Sequence, residues 1–343
     1  MIDPLRKSQV ICMATILSAD PAPTKISPLP ATDEYVGVHS ARLDPDLIRK
    51  FSQISTPRFV GHLLLEWALI AASIGLCQWW WNPALYLLTV AWIGARQHGL
   101  AVLLHDAAHY RAATNRRLND FLGILAGGPL FISLHAYRHE HFAHHRHVST
   151  ADDPQWVDRD TTNWKFPKTR RALAWLLAKD LIGIGAIETI RYSFRLQNRL
   201  RKHGAGKAVR LIGPILSVCI VAAVIASGML VPFILYWVIP IATWLTMSLR
   251  VRSIAEHYAL PHDGVLLKTR TVLPSVFDAL FIAPNNIAYH IEHHQYPSVP
   301  FHQMPRLHKS LMQLETFRQR AHLTHGYFGV FRECLRDANQ SPT

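Results

Sequence analysis

Eight histidines stand in three tight clusters whose spacing suits metal binding, and a ninth stands apart. HDAAH places two of them four residues apart, while HFAHH and HIEHH each place three at positions i, i+3 and i+4. Residues three or four apart share one face of a helix, so each cluster can direct its imidazoles toward one point. A neutral imidazole is a good ligand for iron, zinc, copper and nickel. The nine are His105, His109, His141, His144, His145, His257, His290, His293 and His294, of which His257 belongs to the separate segment EHY.

The number of imidazoles indicates two metal ions. One ion does not bind nine ligands, and zinc usually takes four. Two ions with four or five ligands each would leave room for dioxygen or water. No Asp or Glu repeats with the spacing of a carboxylate-bridged pair of metals. The sequence therefore predicts a histidine-dominated site for two iron ions.

Acidic and amide residues near these clusters are candidates to orient the imidazoles. A metal-bound histidine generally donates its other ring N–H to an acceptor. The candidates are Asp106, Glu140, Asp153, Glu256, Glu292 and Asn286, with Asn285 nearly as well placed. For each acid the alternative is a place on a charged surface. We interpret the other histidines as ordinary surface, loop or buried residues, among them His98, His135, His139, His147, His262, His302, His308, His322 and His325.

Four long apolar runs must position the clusters, at 62–81, 84–104, 211–229 and 231–249. About 20 residues at 1.5 Å each match a hydrocarbon core of about 30 Å. Half of the residues are hydrophobic and 17% are charged, which is more apolar than most soluble domains. We predict an all-α integral membrane protein with four transmembrane helices in two hairpins. Two buried hairpins of a soluble protein are the alternative, which four such runs disfavour.

Charge predicts the orientation of these hairpins. The two tight connections contain no Lys or Arg, whereas residues 110–210 are rich in both and the net charge is +13. Cytoplasmic loops carry the excess of basic residues. Both termini and the metal site are therefore predicted on the cytoplasmic side of a bacterial inner membrane. A helical cap on that side is predicted to hold the metal site. Because the chain crosses the membrane twice between the second and third clusters, all the clusters can meet on that side. This orientation also accounts for the positive charge without a nucleic-acid partner.

The rest of the chain is assigned by composition and length. Residues 1–40, rich in Pro, Ala, Ser and Thr, are predicted as a mobile tail, 41–325 as the membrane domain and 326–343 as a C-terminal tail. Within the domain, 121–135 and 172–188 are apolar but too short or too interrupted to cross easily, so we predict interfacial or re-entrant segments. The alternative for 121–135 is a fifth span.

The histidine segments resemble those of a known family. HDAAH, HFAHH and HIEHH are similar to the three histidine boxes of the membrane fatty acid desaturases, and RSIAEHY is similar to that family's further ligand region. The resemblance implies a di-iron centre, dioxygen and hydrogen abstraction from an unactivated C–H bond. The three-residue spacing in the first box resembles acyl-lipid desaturases and carotenoid ketolases. Since no HPGG segment occurs, the resemblance implies a separate electron donor of ferredoxin or cytochrome type.

From this resemblance we predict a desaturase that inserts a double bond into an acyl chain of a membrane lipid, using O2 and two electrons. A hydroxylase or ketolase of the same family, acting for example on a carotenoid, is the first alternative. A histidine-rich metal transporter is the second, and it would place its ligands along the spans rather than at their ends. Arg199, Arg201 and Lys202 are candidates for docking an acidic carrier, or for contact with anionic lipid.

Overall fold

The computed structural model describes residues 42–157, 161–260 and 266–335. Within them the chain is mostly helical, as predicted. The predicted tail over 1–40 lies outside the described residues. The helices are α1 (Pro45–Phe51), α2 (Thr56–Trp79), α3 (Pro83–Ala108), α4 (Arg116–Gly127), α5 (Leu134–His147), α6 (Pro154–Val157), α7 (Arg170–Leu181), α8 (Ala186–Lys202), α9 (Lys207–Ala226), α10 (Leu230–His257), α11 (Val276–Phe281), α12 (His290–Gln295), α13 (Met304–Leu311), α14 (Glu315–Arg320) and α15 (Gly326–Glu333). Short 3₁₀ segments are Gly128–Leu130, Thr162–Trp164, Leu266–Lys268 and Phe301–Gln303.

Four helices, α2, α3, α9 and α10, are long and apolar enough to cross a membrane. They coincide with the four predicted runs, but α3 and α10 extend beyond those runs at their C-terminal ends. Helix α3 begins at Pro83, where the Asn82 side chain accepts a hydrogen bond from the Leu85 N–H at 2.9 Å, and it continues to Ala108. Helix α10 continues to His257. These extensions place His105 and His257 on the last turns of two apolar helices.

The surface of α9 is apolar and exposed, as expected of a helix that faces lipid. None of its side chains is buried, and Ile215, Val218 and Ile225 are among its large exposed residues. A helix that is apolar all round and exposed would be unfavourable in water. In contrast, most of α3 is buried among its neighbours. The apolar surface of α9 therefore supports a place in a bilayer.

The two shorter apolar segments form bent or broken helices. The segment Arg116–Leu130 meets Leu134–His147 at 99°, and together they are apolar enough to count as a fifth, broken span or a re-entrant loop. Phe131, with a φ of 60°, lies at the bend. The predicted segment 172–188 forms most of α7 and the start of α8. The bend directs α5, which carries HFAHH, back toward the end of α3.

The structure differs from the sequence prediction after residue 260. Strands β1 (Arg270–Leu273) and β2 (His322–His325) form a small parallel sheet, with Arg270 opposite His322. Helix α15 begins where we predict a tail, and its Tyr327 and Val330 are buried. The reason is the buried Arg270 guanidinium, which donates to Ala255 O at 2.8 Å and to Glu333 Oε2 at 2.7 Å. It ties the end of α10 to α15. Residues 336–343 of the predicted tail lie outside the described part of the chain.

Candidate metal centre

All nine predicted histidines converge on one place in the fold. The end of α3 provides His105 and His109, α5 provides three, the end of α10 provides His257, and α12 provides three. Eight of them form two groups of four, and within each group one ring nitrogen from each histidine lies within 4.8 Å of the others. The first group is His105, His109, His141 and His293, and the second is His144, His257, His290 and His294.

His145 joins the first group. Its Nε2 lies 3.0 Å from His141 Nε2 and 2.9 Å from His293 Nε2. Its ring also stacks on that of His294, with ring centres 4.3 Å apart. Consecutive helical residues point about 100° apart, so His144 and His145 diverge into different groups. The first group thus has five imidazoles and the second has four.

The nitrogen spacing in the second group fits ligands of one ion. His257 Nε2 lies 3.1 Å from His144 Nε2 and 2.9 Å from His290 Nε2. His294 Nε2 lies 3.1 Å from His290 Nε2. Two metal–nitrogen bonds of about 2.1 Å at a right angle would separate their nitrogens by about 3.0 Å. The four imidazoles therefore fit one bound metal.

The first group leaves buried ring nitrogens that need a partner. Among the described residues, neither ring nitrogen of His105 has a hydrogen-bond partner, and His109 Nε2 has none either. A buried polar atom without a partner costs about 1–3 kcal/mol. A metal ion would satisfy these nitrogens, so this group also fits a metal.

Burial keeps these imidazoles neutral, which is the form that binds metals. It lowers the pKa of His109 to about 3, helped by the charges of Arg111 and Arg138. Burial also lowers the pKa of His145 to about 2, with His109 and His144 adding to the effect. For His293 burial again comes first among the causes of a lowered pKa, followed by His105. These three imidazoles therefore carry no added proton that a metal would have to displace at neutral pH.

Two of the six predicted orienting residues lie against ligand imidazoles. Asp153 Oδ2 lies 2.9 Å from His144 Nδ1, and the Ser149 N–H donates to the same oxygen at 2.9 Å. Glu256 Oε1 lies 3.3 Å from His290 Nδ1 and also accepts from Arg252 Nε at 2.5 Å. Both carboxylates are thus held in place while they face a histidine of the second group.

The other acidic candidates hold the surrounding elements together. Asp106 Oδ1 is 3.8 Å from His105 Nδ1, and Asp106 Oδ2 accepts from the Phe301 N–H at 2.9 Å. Glu140 accepts from Arg199 on α8 at 2.8 Å. Glu292 accepts from the Thr271 hydroxyl at 2.5 Å. These contacts fix the helices that carry the histidines.

The two asparagines form the turn that leads into α12. Asn285 and Asn286 have φ values of 53° and 58°, a left-handed conformation that Asn tolerates better than most residues. Asn285 Nδ2 donates to Glu66 Oε1 at 3.0 Å, and Asn286 Nδ2 donates to Phe301 O at 3.3 Å. The structure places both as parts of this turn, which sets the direction of the third cluster.

The structure shows two contacts near the site that the sequence did not predict: one made by His308, and one buried ion pair. His308, which we predict as a surface or loop residue, is partly buried with Nδ1 2.5 Å from Glu292 Oε1. Glu66 and Arg96 form a buried ion pair at 3.1 Å between α2 and α3. Charged residues inside apolar runs are a usable signal, because they are rare there and usually paired. His308 had no such signal, because its partner lies 16 residues away.

We predict that Asp153→Asn lowers metal occupancy and activity about 10- to 100-fold, the range found when a partner of a metal-bound histidine is replaced. The amide has no negative charge to hold the Nδ1–H of His144. Metal analysis of the purified protein and product formation would measure the effect. Asp152→Asn is the matched control, because Asp152 is exposed. Equal metal content in the two variants would contradict this role of Asp153.

Comparison with known proteins agrees with this arrangement. The sequence model of a family described as "Fatty acid desaturase" matches residues 78–326. The chain is 28% identical to dihydrorhizobitoxine desaturase of Bradyrhizobium elkanii, over 82% of this chain and 83% of that protein. It is 28% identical to human sphingolipid delta(4)-desaturase/C4-monooxygenase, over 71% and 73%. It is 23% identical to sn-1 oleoyl-lipid 12-desaturase of Anabaena variabilis, over 71% and 59%.

Proposed function

Because the chain belongs to the fatty acid desaturase family, we propose that it is a membrane desaturase that removes one hydrogen from each of two adjacent carbons in a lipid hydrocarbon chain. The reaction consumes O2, two electrons and two protons, and it releases the alkene and two water molecules. The observation that carries this proposal is the convergence of nine histidines in two groups.

We propose that each histidine group holds one iron ion. Bound iron would activate dioxygen and supply the oxidant for cleavage of the C–H bonds. The five imidazoles around His141 and the four around His257 hold the two positions apart. Asp153 orients the His144 imidazole of the second group, whereas Glu256 lies 3.3 Å from His290 Nδ1 without a hydrogen bond to it. Because the ligands come from separate helices, the fold fixes the distance between the two positions.

In the proposed arrangement, α2 with α3 and α9 with α10 form two transmembrane hairpins. The histidines and helices α5, α8 and α12 lie in a cap at the cytoplasmic face of a bacterial inner membrane. The basic residues of the middle segment support this orientation. The position of His105 and His257 at helix ends also disfavours a metal transporter, whose ligands would follow a path across the membrane.

We propose that a separate acidic carrier delivers the electrons near His145 and His294. These two stacked rings are partly buried and belong to different groups, so they bring both metal positions near the surface. A surface depression of about 980 Å³ reaches His294 and is lined by Arg42 and by Arg49, which also pairs with the exposed Asp46. Such basic groups favour an acidic partner. Of the basic residues predicted for this role, Arg199 instead pairs with Glu140.

The relatives' names leave substrate and outcome open. One name includes delta(4)-desaturation of a sphingolipid together with a C4-monooxygenase, and another places the double bond at position 12 of an oleoyl lipid. The monooxygenase in the first name supports hydroxylation as the second candidate function. Hydroxylation inserts an oxygen atom, whereas desaturation does not.

The test is expression in a host without this activity, under 18O2, followed by mass spectrometry of total lipids. We expect products lighter than their parents by two hydrogen atoms and without 18O. Products that carry 18O would identify a hydroxylase. Purified protein with two bound irons and a working electron donor, but no product of either kind, would contradict the proposal.

A further inference from the structure

Residues 272–288 leave the region of the histidines and return to it as a hairpin. Its two arms meet where the Val272 N–H donates to Ala288 O at 3.1 Å. Helix α11 forms most of the outgoing arm, and the returning arm leads directly into α12, which carries HIEHH. The course of hairpin 272–288 therefore bears on the position of the third histidine cluster.

Contacts with α3 show how far this hairpin reaches from the histidines. At its far end, the ring of Phe281 lies against that of Trp92, with ring centres 5.4 Å apart. One residue earlier, Leu280 O accepts a hydrogen bond from Arg96 Nη2. At 1.5 Å per residue, Trp92 lies about 20 Å along α3 from His105. The hairpin thus follows the spanning helix well away from the metal centre.

The same end of the hairpin contacts α10, and the returning arm contacts α3 again. Trp244 lies near the middle of α10, and its Nε1 donates to Phe281 O at 2.8 Å. On the way back toward α12, Asn285 Nδ2 donates to Gly99 O at 3.3 Å. Gly99 lies between Trp92 and the histidines along α3. The contacts therefore run away from the histidines and back again.

The position of these contacts along α3 places them inside a bilayer. Helix α3 has 26 residues, so it is about 39 Å long. The hydrocarbon core of a membrane is about 30 Å thick. Wherever that core lies along α3, both Trp92 and Arg96 fall within it. Leu280 and Phe281, which contact these two residues, then lie at the depth of the acyl chains.

The outer surface of α11 suits that depth. Val276, Phe277 and Leu280 are 78%, 58% and 40% exposed. Within hairpin 272–288 the only charged residue is Asp278, which is buried and accepts from the Ser275 hydroxyl at 2.8 Å. An exposed group of large apolar side chains is unfavourable in water and marks a surface that meets a membrane or another protein.

The backbone at the far end of the hairpin has the partners that hydrocarbon demands. Non-helical backbone occurs at membrane depth only where its polar groups are satisfied by protein or water. The carbonyl groups of Leu280 and Phe281 accept from Arg96 and Trp244, which both lie on spanning helices. Glu66 on α2 pairs with Arg96 at 3.1 Å and balances its charge. This role also explains why two apolar runs carry a buried ion pair.

We propose that hairpin 272–288 is a re-entrant element, and that α11 contacts the acyl chains of the bilayer through Val276, Phe277 and Leu280. This contact holds α12 in place from the membrane side. Because α12 provides His293 to the first group and His290 to the second, the insertion of α11 supports both metal positions. The inference goes beyond the proposed reaction and rests on the proposed crossing of the membrane by α3 and α10.

Nitroxide labels on single cysteines of the full-length protein test the insertion of α11. The protein carries Cys12→Ser and Cys219→Ser, which leaves the buried Cys77 and Cys334, and is placed in vesicles of phosphatidylcholine and phosphatidylglycerol. Labels at Phe277→Cys and, separately, Val276→Cys are then compared by their spin relaxation. We expect both to be relaxed more strongly by O2, which concentrates in hydrocarbon, than by a water-soluble nickel chelate.

Two further label positions make the outcomes distinct. Val218→Cys on α9 is the lipid control, because Val218 is exposed on an apolar helix, and Lys309→Cys on α13 is the water control. If the Val218 label met water, the proposed crossing of the membrane would be wrong. If it met lipid while both α11 labels met the nickel chelate, only this inference would be overturned. Poor access of both reagents to α11 would show a protein contact there, and would also overturn it.

Phe277→Asp tests whether the insertion holds α12. A carboxylate in the hydrocarbon core should shift the balance between inserted and released α11 by about 100-fold toward release. With one iron in each group, as proposed, iron content should fall below one ion per chain, since α12 serves both groups. Phe277→Leu is the matched control and should keep two ions. Two ions in Phe277→Asp would overturn the support of α12 by α11, whereas unaltered protein without iron would contradict the proposed function instead.

Discussion

His144→Ala and His293→Ala are each expected to lower product formation by more than about 100-fold. Replacing a residue that only hydrogen-bonds to a metal-bound histidine costs about 10- to 100-fold, and losing the histidine itself should cost more. The two residues lie in different groups, with His144 Nε2 3.1 Å from His257 Nε2 and His293 Nε2 2.9 Å from His145 Nε2. Each variant should therefore lose one metal position and keep the other. With one iron in each group, as proposed, the iron content should fall from two ions per chain to about one.

His147→Ala serves as the control for both variants. His147 follows the second cluster directly but is exposed and lies outside both groups. Its removal should leave iron content and product formation near those of the unaltered protein. If His144→Ala and His293→Ala both retained two irons and full activity, our assignment of ligands would be wrong.

The convergence of the histidines could be predicted because it depends on local periodicity and on the number of crossings. The i, i+3, i+4 spacing puts His290, His293 and His294 near one face of a helix whatever the rest of the fold does. The division into two groups could not be predicted in this way. Whether His145 joins His141 or His144 depends on where α12 lies, which is a long-range property.

The residues predicted to orient the imidazoles also show that long-range contacts could not be predicted from the sequence. Glu140 directly precedes a ligand, yet it turns away to Arg199. Asp153 is nine residues from His144, and the chain after α5 folds back to bring them together. Sequence proximity thus ranks such candidates poorly. The pairing of His308 with Glu292 and the buried Arg270 depend on contacts that no local pattern encodes.

A buried ion pair between Asp180 and Arg250 lies on the helix that carries His257; from the sequence, Asp180 only interrupts the apolar segment 172–188. Arg250, on the same helix as His257, donates to Asp180 Oδ2 at 2.5 Å and to Asp180 Oδ1 at 3.0 Å. Both side chains are buried, so this bidentate pair links α7 to α10. It holds the C-terminal part of α10 against α7.

Asp180→Ala is expected to destabilise the protein by about 3–5 kcal/mol, because it leaves the Arg250 guanidinium buried without its main partner. The melting temperature in detergent should fall by on the order of 10 °C. Asp46→Ala is the matched control: Asp46 also pairs with an arginine, Arg49, but both are exposed and such pairs contribute little. The double variant Asp180→Ala, Arg250→Met should recover part of the loss, since an apolar pair can replace a buried ionic one. If Asp180→Ala melted at the same temperature as Asp46→Ala, the pair would not hold α10, and the location of His257 would need another explanation.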